Sequence, residues 1–155
     1  MPEKLHFQTI PLAQITLKSL PQTIPPQPVV LVVDDEQVIA DTLTAILARS
    51  GFAVIPAYNG AAALEIARVI PPDLLITDVF MPGMNGIDLA IAIRAAIPDC
   101  KVLLFSGQAS TVDLLTAARE QGHDFALLLK PVHPTELLAR ISECMQTSAS
   151  ELSAV

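Results

Sequence analysis

Short apolar runs alternate with amphipathic stretches along most of the chain. Val29-Val30-Leu31-Val32-Val33, Phe52 to Tyr58, Leu74-Leu75-Ile76-Thr77, Lys101 to Ser106 and Phe125 to Leu129 are rich in aliphatic and β-branched residues. They are too short for helices and predict strands. The run at Leu74 lies between Pro71-Pro72 and Pro82-Gly83 and is uniformly apolar, the pattern of a strand covered on both faces. Between the runs, apolar residues recur at helical spacing: Val38, Ile39, Leu43, Ile46 and Leu47; an Ala-rich segment from Ala61 to Val69; Ile87, Leu89, Ala90, Ile91, Ile93 and Ile97; Thr111 to Gln121; and Thr135 to about Met145. Ser50-Gly51, Pro71-Pro72, Pro98 and Gly122 supply stops, and Ser110 or Thr111 supplies an N-cap for the fourth helix. Five strands alternating with five helices predict an α/β fold: a parallel sheet, right-handed crossovers and helices on both faces.

Residues 1–28 break this pattern, because Pro2, Pro11, Pro21, Pro25, Pro26 and Pro28 sit among Gln and Thr. That composition reads as an extended tail, although Leu12, Ile15 and Leu17 could form a short docking element. The expected organisation is a tail over 1–28, a folded body over 29–147 and a Ser/Ala-rich tail over 148–155. Hydrophobic residues make up 52% and charged residues 16% of the 155, which suits one compact body and excludes general disorder. The net charge of -7, with nine scattered basic residues, argues against direct binding of nucleic acid or anionic lipid. Cys100 and Cys144 have no ligand-like spacing and read as thiols in a reducing cytoplasm. Gln8, Pro11, Gln14 and Lys18 interrupt any apolar leader, and no run is long enough to span a membrane.

The chemistry lies where strands end. Asp34-Asp35-Glu36 follow the first strand, Asp78 the third, Ser106 the fourth and Lys130 the fifth. Taken singly, the acids read as helix caps or Asx turns, Ser106 as another cap and Lys130 as a solvated charge. In a parallel sheet, however, the carboxyl ends of all strands share one rim, where ligands of open α/β sheets bind. Neighbouring carboxylates repel unless a cation neutralises them, and oxygen-only ligands suit Mg²⁺. An exposed carboxylate with a metal, an ammonium and a hydroxyl around it is what phosphoryl transfer requires, with Asp78 as nucleophile.

Val32-Val33-Asp34-Asp35-Glu36, Asp78-Val79-Phe80-Met81-Pro82-Gly83-Met84-Asn85-Gly86, Ser106-Gly107 and Lys130-Pro131 together resemble the response-regulator receiver domain of two-component signalling, over about Val29 to Met145. The resemblance implies a flavodoxin-like three-layer fold with strand order 2-1-3-4-5. It implies phosphorylation of Asp78 by a histidine kinase or phosphotransfer protein. Mg²⁺ would be held by Asp35, Asp78 and the Phe80 carbonyl, with Asp34 acting through water. Lys130 and Ser106 would hold the phosphoryl oxygens, and the bond before Pro131 would be cis. Ser106 and Phe125 would form the switch: the hydroxyl moves to the phosphate and the ring turns inward, changing the surface of the fourth helix, fifth strand and fifth helix.

Several expectations follow from these residues. Phe80, two positions after Asp78, cannot orient a hydrolytic water and should slow loss of phosphate, whereas Gln108 could push the other way. The fourth and fifth helices carry only Asp113, Arg119, Glu120, Glu136, Arg140 and Glu143, which suits a monomer or weak dimer. The chain is expected to be a phosphoacceptor rather than an enzyme, and a stand-alone receiver acting on an unidentified protein target, although a piece of a longer regulator would read the same. A phosphorylation-independent docking module is the alternative. An aspartyl phosphohydrolase would need an acid where Phe80 stands, and a flavin carrier would need a hydroxyl/Gly loop where the acids of the first strand stand.

Overall fold

A computed structural model describes residues 26–151, and the side chains of residues 26–146. The segment 1–25, which holds most of the expected tail, and residues 152–155 lie outside the described residues. Five strands and five helices alternate: β1 (Val29–Val33), α1 (Gln37–Arg49), β2 (Ala53–Ala57), α2 (Gly60–Val69), β3 (Leu74–Asp78), α3 (Gly86–Ala96), β4 (Lys101–Ser106), α4 (Thr111–Glu120), β5 (Ala126–Leu129) and α5 (Pro134–Glu151). The strands form one sheet in the order β2-β1-β3-β4-β5, with every pairing parallel.

Strand alternation divides the core in two. Leu31, Val33, Leu75, Val102 and Leu104 face α2, α3 and α4, where Ala63, Ala67, Ile87, Leu89, Ile93 and Ala118 close the layer. Val30, Val32, Leu74, Ile76, Leu103 and Phe105 face α1 and α5, against Ala40, Leu43, Leu47, Leu137 and Ile141. The central strands are therefore apolar along most of their length, apart from the buried Thr77 in β3 and Lys101 at the start of β4, and β3 is buried along its whole length. Pro56, which has no N–H to give a ladder, lies in the edge strand β2 opposite Val32.

Two helix starts follow simple local chemistry. Asn59 and Asn85 cap α2 and α3, their side chains accepting from the N–H groups of Ala62 and Asp88, each at 2.8 Å. One cap and one boundary differ from the sequence expectation. Ser110 holds the N-cap position of α4 but makes no side-chain cap bond, and the Thr111 hydroxyl points into the fold instead. α5 runs to Glu151, beyond the expected stop near Met145 and into the stretch read as a tail, because Gln146 to Glu151 contain neither Gly nor Pro.

The loop after β3 depends on two glycines for different reasons. Gly83 has φ +78° with open space around it. Gly86 begins α3 hard against the end of β3: its N–H donates to the Val79 carbonyl at 2.8 Å, and a Cβ there would overlap the Asp78 carbonyl oxygen. Gly83→Ala should therefore cost about 1 kcal/mol through backbone strain. Gly86→Ala should cost more, about 3 kcal/mol, because backbone has to move. Urea denaturation of the two variants checks this order, and equal losses would refute it.

Candidate functional site

The functional side chains sit where the strands run out. Asp34 and Asp35 directly follow β1, Asp78 is the last residue of β3, Ser106 is the last of β4, and Lys130 directly follows β5. Register aligns these ends: Asp78 lies beside Phe105 and Ser106 beside Leu129. Asp34 is anchored by its N–H, which donates to the Ala57 carbonyl at 3.1 Å, and its Oδ1 accepts from Glu36 N at 2.9 Å. Asp34 thus closes an Asx turn with one oxygen and meets Lys130 at the rim with the other, while α1 starts without a side-chain cap bond.

Lys130 closes the group. Its Nζ lies 3.2 Å from Asp34 Oδ2 and 3.5 Å from Asp78 Oδ1, and 5.0 Å from the centre of the Phe105 ring below it. The Lys130 N–H donates to the Ser106 carbonyl at 2.9 Å, and the Lys130-Pro131 peptide is cis. Asp34 is 1% and Asp78 9% exposed, so both charges are largely removed from water, whereas Asp35 is exposed. Ligand oxygens of Asp34, Asp35 and Asp78 lie within 4.8 Å of one another. Three carboxylates facing one ammonium leave an excess of negative charge, and the donors are all oxygen. Such a set fits a hard divalent cation.

Burial is the main reason that the Asp78 carboxyl titrates above its ordinary value of 3.8; Lys130 opposes the rise and Asp34 adds to it. Asp78 Oδ1 accepts from Val79 N at 2.9 Å and faces Lys130, which leaves Oδ2 without a hydrogen bond among the described residues. The carboxylate is held by one oxygen and open at the other.

The other predicted residues are placed differently. The Ser106 hydroxyl lies 2.6 Å from the Thr111 hydroxyl and accepts from Gln108 N at 3.2 Å, so its partners are at the start of α4 and in the loop before it rather than among the acids. Phe125 is 5% exposed and packs in the core, with the Arg94 guanidinium 4.9 Å over its ring and His123 stacked beside it. The ring is thus already inward while the hydroxyl is turned away. Phe80 is partly buried against the core beside α2 and α3. Thr111 is the residue whose place the sequence reading missed, since a Thr at a helix start signals a cap and five-residue spacing from Ser106 carries no signature of its own.

Fold and rim together define a flavodoxin-like α/β domain with an acidic ligand site at the carboxyl edge of its sheet. The chain belongs to the response regulator receiver domain family, whose family model matches residues 30–142. It is similar to the DNA-binding response regulator MtrA of Mycolicibacterium smegmatis, 33% identical over 124 residues that make up 79% of this chain and 52% of that protein. It is also similar to the transcriptional regulatory protein PrrA of Mycobacterium leprae, 38% identical over 134 residues, 83% of this chain and 57% of that protein. The chain spans about half the length of these curated relatives. Among solved structures, a CheY-like receiver domain protein from Methanospirillum hungatei JF-1 matches with a TM-score of 0.73 at 26% identity, covering 81% of this chain and 99% of that one. The chemotaxis protein CheY4 of Vibrio cholerae matches with a TM-score of 0.70 at 27% identity, covering 77% of this chain and 99% of that one. The domain is therefore a receiver of two-component signalling, a class that works with histidine kinases or phosphotransfer proteins. Among the described residues no helix is long and apolar enough to cross a membrane.

The raised Asp78 value makes a signed prediction. A carboxyl that binds its proton more tightly when folded contributes stability that is fully present below its unfolded value and lost as pH rises through the raised folded value. Asp78→Asn keeps the shape, leaves the Asp34–Lys130 pair intact and removes the surplus buried charge. In EDTA at about pH 7 it should be more stable than wild type by about 1 kcal/mol. The advantage should shrink on acidification to about pH 4, because falling pH favours the protonated form of wild-type Asp78, whose carboxyl titrates above its ordinary value. Urea melts at the two pH values check both size and trend; a gap that widens in acid would contradict the assignment.

Proposed function

We propose that this receiver domain accepts a phosphoryl group on Asp78, with Mg²⁺ as the cation of the acidic site. The observation that carries the reading is the Asp78 carboxylate itself: held through Oδ1 by Val79 N and Lys130, open at Oδ2, at the rim beside Asp34 and Asp35. Asp78 Oδ2 attacks the phosphorus of a phosphohistidine on the donor protein. The phosphorus–nitrogen bond breaks, its electron pair stays with the imidazole nitrogen, which takes up a proton from water, and an aspartyl acyl phosphate forms. The carboxylate has to be ionised to attack, and the Lys130 ammonium beside it favours that form against the cost of burial.

Lys130 then has a second task, donating to the phosphoryl oxygens as charge develops on them. Ser106 supplies a further donor once its hydroxyl leaves Thr111. Asp35, Asp78 and the Phe80 carbonyl would hold the Mg²⁺ directly and Asp34 through water; the ion, when bound, offsets negative charge on the phosphoryl oxygens and on the carboxylates. Phe80 brings an apolar ring to the loop after Asp78 and no group that could activate water, which supports slow hydrolysis of the acyl phosphate. The domain acts as a phosphoacceptor rather than an enzyme, as a monomer or weak dimer, on a protein target reached through the α4, β5 and α5 surface. Free thiols at Cys100 and Cys144 support a cytoplasmic setting.

Incubation with acetyl phosphate tests the reading. Wild type in Mg²⁺ should gain the mass of one phosphoryl group, whereas wild type in EDTA and Asp78→Ala should not. An unchanged wild-type mass with no Mg²⁺ binding would instead favour a docking module that never carries phosphate.

A further inference from the structure

Ser106 and Thr111 are both 0% exposed, and their hydroxyl oxygens lie 2.6 Å apart. The bond joins the end of β4 to the first turn of α4 across Gly107-Gln108-Ala109-Ser110. It is made where Thr111 could have served its own helix end, and α4 starts without a side-chain cap. The Gln108 N–H also points at the Ser106 oxygen, at 3.2 Å, so the hydroxyl is held from two sides. Thr111, by contrast, has Ser106 as its side-chain partner among the described residues.

The geometry points to Thr111 as a positioning residue that latches the Ser106 hydroxyl away from the phosphoryl site, which sets how readily the domain adopts its phosphate-bound arrangement. This rests on the phosphoacceptor reading of Asp78. When Ser106 turns to a phosphoryl oxygen it gains a charge-assisted bond, but it leaves the Thr111 hydroxyl buried without its partner. A buried polar group without a partner is costly, and that cost falls only on the phosphate-bound arrangement. Thr111 therefore weights a pre-existing equilibrium toward the resting arrangement without touching the phosphate. The ring of Phe125 does not set this balance, because it is already buried while Ser106 is latched.

The test is an NMR titration of the full chain with beryllofluoride in saturating Mg²⁺, alongside a titration with Mg²⁺ alone. Thr111→Val replaces the hydroxyl with a methyl of similar size and suits a buried site. It should bind beryllofluoride about fivefold more tightly than wild type, equivalent to about 1 kcal/mol. Its Mg²⁺ affinity should not move, since Thr111 bonds to Ser106 and not to the acids; a general structural disturbance would change both. Thr111→Ser, which restores the hydroxyl, should return to wild-type affinity, and Thr111→Val should add nothing in a Ser106→Ala background. Equal or weaker binding by Thr111→Val, or Thr111→Ser behaving like Thr111→Val, would overturn the latch alone. A wild type that binds no beryllofluoride would overturn the latch together with the phosphoacceptor reading.

Discussion

One ammonium held between two buried carboxylates is the constraint on which the rest depends. Lys130 Nζ reaches both Asp34 and Asp78 at 3.2 and 3.5 Å, and those acids lie on strands that are neighbours in space but far apart in sequence. Isolated charges that deep would be prohibitively costly, and one lysine offsets only part of the cost of two acids. The cost of burial that Lys130 leaves uncompensated is visible in the raised Asp78 value. A site kept short of positive charge is receptive to a cation and, once the cation is present, to an anion.

The sheet makes that imbalance affordable. β1, β3 and β4 bury aliphatic side chains on both faces, so the rigid centre of the domain lies directly beneath the acids. Apart from the buried Thr77 and from Lys101 at the start of β4, their polar residues appear where the strands end, and parallel register brings those ends to one edge. The contact of Gly86 with the Asp78 carbonyl ties the following helix to the same point. Asp78 is thus positioned by main chain on both sides rather than by a mobile loop.

This division explains what could be read from the sequence. The strands were legible because each is a short apolar run, and the rim acids were legible because they interrupt such runs at the carboxyl end. The joint placement of Asp34, Asp35, Asp78 and Lys130 followed from topology alone. The course of α5 past Met145 was less legible, because polar residues without Gly or Pro neither end a helix nor require one. The direction of the Thr111 hydroxyl was invisible: Thr at a helix start has both a local partner in the helix end and a distant partner in Ser106, and only packing decides between them. The same holds for Phe125, whose sequence position is compatible with either ring orientation.

The inward ring bears on how such a domain switches. A tyrosine at position 125 would carry a hydroxyl that favours the water-exposed orientation, and moving it inward would need compensation. Phe125 has no such group; it fills the space beneath the Arg94 guanidinium and stacks on His123 before any phosphate arrives. Hydroxyl and ring are then set by different forces, the first by hydrogen bonds at the start of α4 and the second by apolar burial next to β5. If Asp78 takes a phosphoryl group as proposed, a signal passing through Ser106 is expressed as a rearrangement of the β4–α4 junction, because the ring has little further inward to travel. On the proposed reading, the polar contacts of that junction, rather than the aromatic packing, hold the free-energy difference between resting and phosphate-bound arrangements.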